Sequence, residues 1–168
     1  LEFRRVLFRS PYELRRLGRV GLATPALVLL LFASMAGLMA LLGAEEAQAA
    51  RVLVAALELG LPLAAGVIAA GVVADDPAVD LQLTLKTRYR TTLARRLLML
   101  VAWTALWALL WVSFLRLAGY WELWVPEPFL RGQLVWVSPL LWFVAAGATL
   151  GLLSGSRAAS GAILGGLW

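Results

Sequence analysis

The chain has 168 residues, 62% of them hydrophobic, with 15 basic and 10 acidic side chains and a mean hydropathy of +0.84. That apolar fraction lies well outside the range of soluble domains and predicts an integral membrane protein. Cys and His are both absent, which excludes a disulfide framework, a thiolate or imidazole metal site and a histidine proton shuttle.

Residues 1–10, LEFRRVLFRS, could as peptide form a basic amphipathic arm that touches anionic lipid. The same stretch resembles the translation of a common sequencing adapter, CTG GAG TTC AGA CGT GTG CTC TTC CGA TCT, at all ten positions. It is therefore read as a non-native, adapter-derived segment, with the transmembrane domain occupying 11–168. Setting aside Arg4, Arg5, Arg9 and Glu2 leaves 12 basic and 9 acidic residues, a net charge of +3.

Val20–Leu42 carries no charge and predicts a first span. At 1.5 Å per residue it is long enough for a hydrocarbon core of about 30 Å. Pro25 lies in its first turns, where a missing N–H costs least. Gly43–Ala50 reads as a short acidic turn, and Val52–Val73 as a second span with Glu58 and Pro62 inside it. Leu97–Leu115 predicts a third span. Arg116–Gly132, rich in Trp, Tyr and Pro, predicts a headgroup-layer segment with Tyr120, Trp121 and Trp124 as an interfacial belt. Leu134–Leu153 is the fourth span. Ala158–Trp168 is apolar over 11 residues, too short to cross, and reads as a fifth span cut off by the end of the chain. On this reading the natural protein extends beyond both ends. The expected fold is an all-α polytopic transmembrane helical bundle with four full spans plus a truncated fifth, because open strands cannot satisfy their backbone groups in lipid.

Charge sets the expected orientation. Arg15, Arg16 and Arg19 precede the first span; Lys86, Arg88, Arg90, Arg95 and Arg96 lie between the second and third; Arg157 follows the fourth. The other two connections mix Glu45, Glu46 and Arg51, and Arg116, Glu122, Glu127 and Arg131. Basic loops stay in the cytoplasm, so the N-terminus and the 74–96 loop are expected there.

Several chemistries find no support. The single lysine, Lys86, sits in LTLKT, which is not the G-x-x-x-x-G-K-[ST] loop that cradles nucleotide phosphates. There are serines, but no His and no G-x-S-x-G elbow. The chain reads as a conduit or scaffold, not as a self-contained enzyme.

The loop ADDPAVDLQLTLKTRYRTTLARRLLML is the most informative stretch. Asp75 and Asp76 end the second span, and Asp76–Pro77 has the form of a helix start, a capping carboxylate followed by Pro at the first helical position. A short helix from Pro77 to about Leu85 would place Leu81 and Leu85 on one face, and the basic run Arg88–Arg96 then leads into the third span. The residues alone fit an interfacial turn or a short helix docked on a cytoplasmic partner.

This loop resembles the one that follows the second span in permeases of the ATP-binding-cassette type-2 exporter family. There an acidic residue precedes a short leucine-rich helix, and a turn and a basic segment follow. The matching residues here are Asp75, Asp76, Pro77, Leu81, Leu83, Thr84, Leu85, Tyr89, Arg90 and Arg96. Lys86 stands where the family often has Pro. The resemblance implies that the loop is a coupling helix seated in a groove of a separate cytoplasmic ATPase, with Asp75, Asp76, Pro77, Leu81, Leu85, Tyr89 and Arg90 at the contact. It further implies that ATP and Mg are bound by that partner and no cofactor by this chain. A second permease copy or a related permease would complete the channel, and six spans would be usual.

Glu58 is the one charge well inside a span and should face protein or water. It reads either as a residue hydrogen-bonded between helices or as a polar site on a translocation path. Pro62, four residues on, would clash with the Glu58 carbonyl and kink the helix. Gly147, Gly151 and Gly155 recur every four residues, with Gly161 and Gly165 continuing the spacing. Such a stripe permits close helix approach, expected here between the fourth and fifth spans, with a dimer face as the other option. Trp103, Trp107 and Trp111 share one face of the third span and read as bulk filler or lipid-facing groups rather than a substrate site.

The expectation is a membrane-spanning permease subunit of an ATP-driven exporter, itself no enzyme. It would sit in a bacterial-type inner membrane with its N-terminus cytoplasmic, with the lipid bilayer and no nucleic acid among its partners. A non-transport scaffold or assembly protein, a membrane enzyme whose catalytic part lies outside this sequence, and a secondary transporter remain open.

Overall fold

The computed structural model describes residues 18–74, 89–125 and 129–167, and every regular element among them is helical. Helix α1 spans Gly18–Leu41. A turn through Gly43, at φ 82°, leads to α2 (Glu46–Ala55). A π-helical turn, Ala56–Gly60, joins α2 to α3 (Leu61–Ala74). Then follow α4 (Tyr89–Leu117), α5 (Tyr120–Trp124), α6 (Phe129–Gly132), α7 (Leu134–Ser154) and α8 (Arg157–Gly166).

Four helices are long and apolar enough to cross a membrane: Gly21–Leu41, Glu46–Ala74, Thr91–Leu117 and Leu130–Ser154. The fold is thus an all-α helical bundle of a multi-pass kind. The second span starts at Glu46, not Val52, and absorbs most of the acidic stretch read as a turn. The third starts at Tyr89, so Arg95 and Arg96 are helical rather than part of a loop. An apolar run marks only the part of a helix that would meet hydrocarbon; the rod continues into the layer where charged side chains are hydrated. At the far end, α8 begins at Arg157, where Ser156 caps it by accepting the Ala159 N–H at 3.3 Å. Its ten residues do not reach crossing length.

The second span is the hub. In its most apolar stretch 56% of residues are buried, against 17% in the first span and 22% in the third. Its closest neighbour is the fourth span. A Cβ on Gly66 would lie 2.7 Å from the Phe143 carbonyl oxygen, and one on Gly151 would lie 2.6 Å from that of Ala70. A Cβ on Gly147 would collide with the Gly66 carbonyl oxygen. Both contacts advance along the two chains together, so α3 and α7 run parallel, backbone against backbone. The glycine stripe therefore packs on the second span, not the fifth. Gly155 plays a different part: at φ 58° it ends α7, donating its N–H to Gly151 at 3.1 Å.

At the Glu46 end, Gly119 (φ 76°) turns the chain from α4 into α5. Trp121 is 2% exposed and packs beside Gly132, so it belongs to the core and not to an interfacial belt. Trp124 stays exposed; its indole donates to the Ala47 carbonyl at 3.1 Å and its ring lies 5.4 Å below the Arg51 guanidinium. The short helix is fastened to the start of α2 by a hydrogen bond and a cation–π contact.

Candidate functional site

The π turn is the local consequence of Pro62. Proline has no N–H to offer and its ring crowds the carbonyl one turn back. The chain answers by inserting one residue into the turn: Leu61 donates its N–H to Ala56, five residues back. Two carbonyls lose their regular donors as a result. Pro62 is the α-register partner of the Glu58 carbonyl and the π-register partner of the Leu57 carbonyl, and it can serve neither. The widened turn keeps Leu57 and Pro62 buried and leaves Glu58 exposed. The expected kink thus takes the form of a π bulge, with Glu58 carried on it.

Glu58 opens onto a groove of about 490 Å³ lined by Val135, Ser138, Pro139, Trp142 and Phe143 of α7. The volume lies within the range of small-molecule sites. Pro139 repeats the device of Pro62: it is the missing α-register donor for the Val135 carbonyl. The proline-bearing stretches of the two spans therefore meet at the groove, with α7 continuing as regular α-helix through Pro139, and Glu58 and Val135, both in the wall, are the residues whose carbonyls lack an α-register donor. Trp142 and Phe143 meet edge to face, with ring centroids 4.9 Å apart.

The site lies deep in the span. Glu58 is roughly 18 Å from Glu46 and roughly 24 Å from Ala74 at the helical rise per residue. Among the described residues the Glu58 carboxylate has no ion pair or hydrogen bond. A charge at this depth in hydrocarbon costs about 2.5–3.5 kcal/mol on insertion scales, and the groove wall offers it only the Ser138 hydroxyl and the Trp142 indole N–H as polar side-chain neighbours. One carboxylate with a hydroxyl is too sparse a ligand set for a structural metal, and no group of three acidic, His or Cys side chains occurs among the described residues.

On its other side the π turn rests on α1, and α4 is tied to α2 one turn before it. A Cβ on Gly60 would lie 2.7 Å from Phe32 and 2.9 Å from Val28. Trp111 donates its indole N–H to the Leu53 carbonyl at 3.0 Å, one turn before the bulge, and Trp103 donates to Leu22 at 3.1 Å. These tryptophans are interhelical donors rather than lipid-facing filler. Trp107 Nε1 and Thr104 Oγ1, between them in depth, are buried with no partner among the described residues.

Of the residues singled out from the sequence, Glu58 lies on the π turn and Pro62 two residues beyond it in the first turn of α3, and Gly147 and Gly151 clamp the two helices next to them. Tyr89 and Arg90 form the first turn of α4. Asp75, Asp76, Pro77, Leu81 and Leu85 lie outside the described residues. Sequence reasoning missed Val135, Ser138, Pro139 and Trp142; the available signal was a proline inside the fourth span, preceded by a serine. Comparison of the chain with family models, curated proteins and solved structures gives no match in any of the three.

Proposed function

We propose that the chain is the membrane-spanning permease subunit of an ATP-driven exporter, coupled to a separate ATPase through the 74–96 loop. One observation carries the reading: a single span bears the loop at one end, a broken turn with a carboxylate groove at mid-depth, and a glycine-locked segment between them. Gly66 and Ala70 lock α3 to α7, so a push on the loop would move the two as a unit. The π turn is the place where that unit can swing against the Glu46 half, because its hydrogen-bond ladder is already interrupted. Motion there would reshape the groove. Energy enters through contacts that the ATPase makes differently in its two nucleotide states. ATP and Mg belong to that partner; a second permease copy or a related permease faces this one; the basic loops lie in the cytoplasm of a bacterial-type inner membrane.

The test is co-purification of the full chain with ATP-binding-cassette ATPases from its own host membrane. Asp76→Ala removes the helix-start carboxylate, and Leu81→Asp places a charge on the docking face. Leu81→Asp should weaken ATPase binding about a hundredfold, as loss of a central apolar anchor does. If both variants hold the ATPase as tightly as the parent, the loop is not a coupling element and the scaffold reading replaces this one.

A further inference from the structure

We infer that the Glu58 groove binds a hydrophobic organic cation, held by the carboxylate and the Trp142 face and shielded by the apolar walls. As cargo, such a cation rests on the permease reading; as a ligand, it rests on the groove alone. The one charged group in the wall is the Glu58 carboxylate; the Ser138 hydroxyl and the Trp142 indole N–H are the other polar side-chain groups there. None of the lining residues is cationic. Arg51, two turns away on the same helix, is held over the Trp124 ring. A carboxylate with no ion pair among the described residues, set in an apolar wall, repels an anion and stays unmatched beside a neutral molecule; a cation satisfies it. The rest of the wall suits a large, weakly hydrated cation over a metal ion. Trp142 is 53% exposed on the groove side of α7, and an indole face attracts a positive charge within about 6 Å of its centroid. The volume of about 490 Å³ accommodates a molecule of several rings. A single shell of ligands around a small ion would leave most of it unfilled.

The experiment uses two probes of one shape and opposite charge, tetraphenylphosphonium and tetraphenylborate. Binding of each is measured by equilibrium dialysis against the full chain in lipid nanodiscs, with empty nanodiscs subtracted. The phosphonium should bind saturably, and the borate should not. Glu58→Gln should weaken phosphonium binding about tenfold, and Glu58→Asp should keep most of it. Trp142→Leu should weaken it about threefold. An unchanged thermal midpoint in each variant shows that the fold is intact. Equal binding of the two ions, or phosphonium binding indifferent to Glu58→Gln, overturns the proposal. The permease reading fails separately: phosphonium that binds through Glu58 but is not moved when the ATPase and ATP are added leaves the site and removes the transporter. ATP-driven movement of another solute without phosphonium binding does the reverse.

Discussion

The carbonyl oxygen of Gly66 occupies the place that a Cβ on Gly147 would need, so the second and fourth spans touch through their backbones. No side chain can yield at this contact. Gly147→Ala should therefore force the helices apart and cost about 1–3 kcal/mol, the usual penalty of overpacking. Gly147→Val should cost more. Gly165→Ala is the matched control: nothing lies within 4 Å of its Cβ position and it is helical, so the change should be neutral or stabilise by about 0.5–1 kcal/mol. Thermal unfolding in detergent reads all three. A Gly147→Ala protein as stable as the parent would mean that the two spans do not pack this way.

The sequence made the spans legible because apolar runs of about twenty residues with at most one charge have few other uses. It also showed that glycines at this spacing must meet another helix closely. It did not show which helix. A soluble helix declares its buried face by polarity, but α3 and α7 are apolar all round, and lipid and protein look alike to that pattern. Hence the spacing alone points Gly147 toward the fifth segment, whereas it packs on Gly66 of the second span. The break at Glu58 and Pro62 was legible from proline chemistry, while its form, an inserted residue with Glu58 turned outward, depends on how α1 and α7 press on the turn. Trp121 misled for a similar reason: an indole near a membrane boundary suits the headgroup layer or a buried pocket equally well, and only the packing of Gly132 against it selects the pocket.

Trp111 and Trp107 should respond in opposite ways to the same substitution. Trp111→Phe removes a hydrogen bond across two spans, to the Leu53 carbonyl. Interhelical bonds of this kind in membranes contribute about 0.6 kcal/mol on average, with a ceiling near 1.7. Trp107→Phe removes a buried N–H that has no partner among the described residues, so it loses only a desolvation penalty and some ring contact. Its ring meets Trp103 edge to face at 6.1 Å, and Phe keeps most of that contact. The expected result is a loss of about 0.5–1.5 kcal/mol for Trp111→Phe and a change near zero or slightly favourable for Trp107→Phe. Chemical unfolding of the two variants side by side decides it; equal losses would show that the two indoles are equivalent.

Pro62→Ala returns an N–H to the one position where the π turn lacks it. The new donor can serve the Leu57 or the Glu58 carbonyl, and the turn can close toward regular α geometry. Stability should rise by about 1–3 kcal/mol, because an interior proline costs a helix roughly that much. Under the permease reading, ATP-driven transport should fall at the same time, since the span would lose its point of flexure. Hydrogen exchange reports the first effect as new protection across residues 57–62. A variant that is more stable and fully active would show that the bulge is not where the span bends.

Gly60 offers a test of how the first span supports that turn. A Cβ there would lie 2.7 Å from Phe32 Cε2 and 2.9 Å from Val28 Cγ1, both ends of side chains and not backbone. Gly60→Ala should thus be tolerated at a moderate cost, about 1–2 kcal/mol, as the phenyl ring is pushed off its place. Phe32→Leu alone should cost about 1 kcal/mol through lost contact. If the two residues press on each other as the geometry indicates, the double variant will cost less than the sum of the singles, because the smaller side chain makes room for the methyl. The interaction energy from such a cycle should be at least about 0.5 kcal/mol in the compensating direction, the threshold for residues in contact. Strict additivity would place Phe32 away from the π turn and detach the first span from the groove.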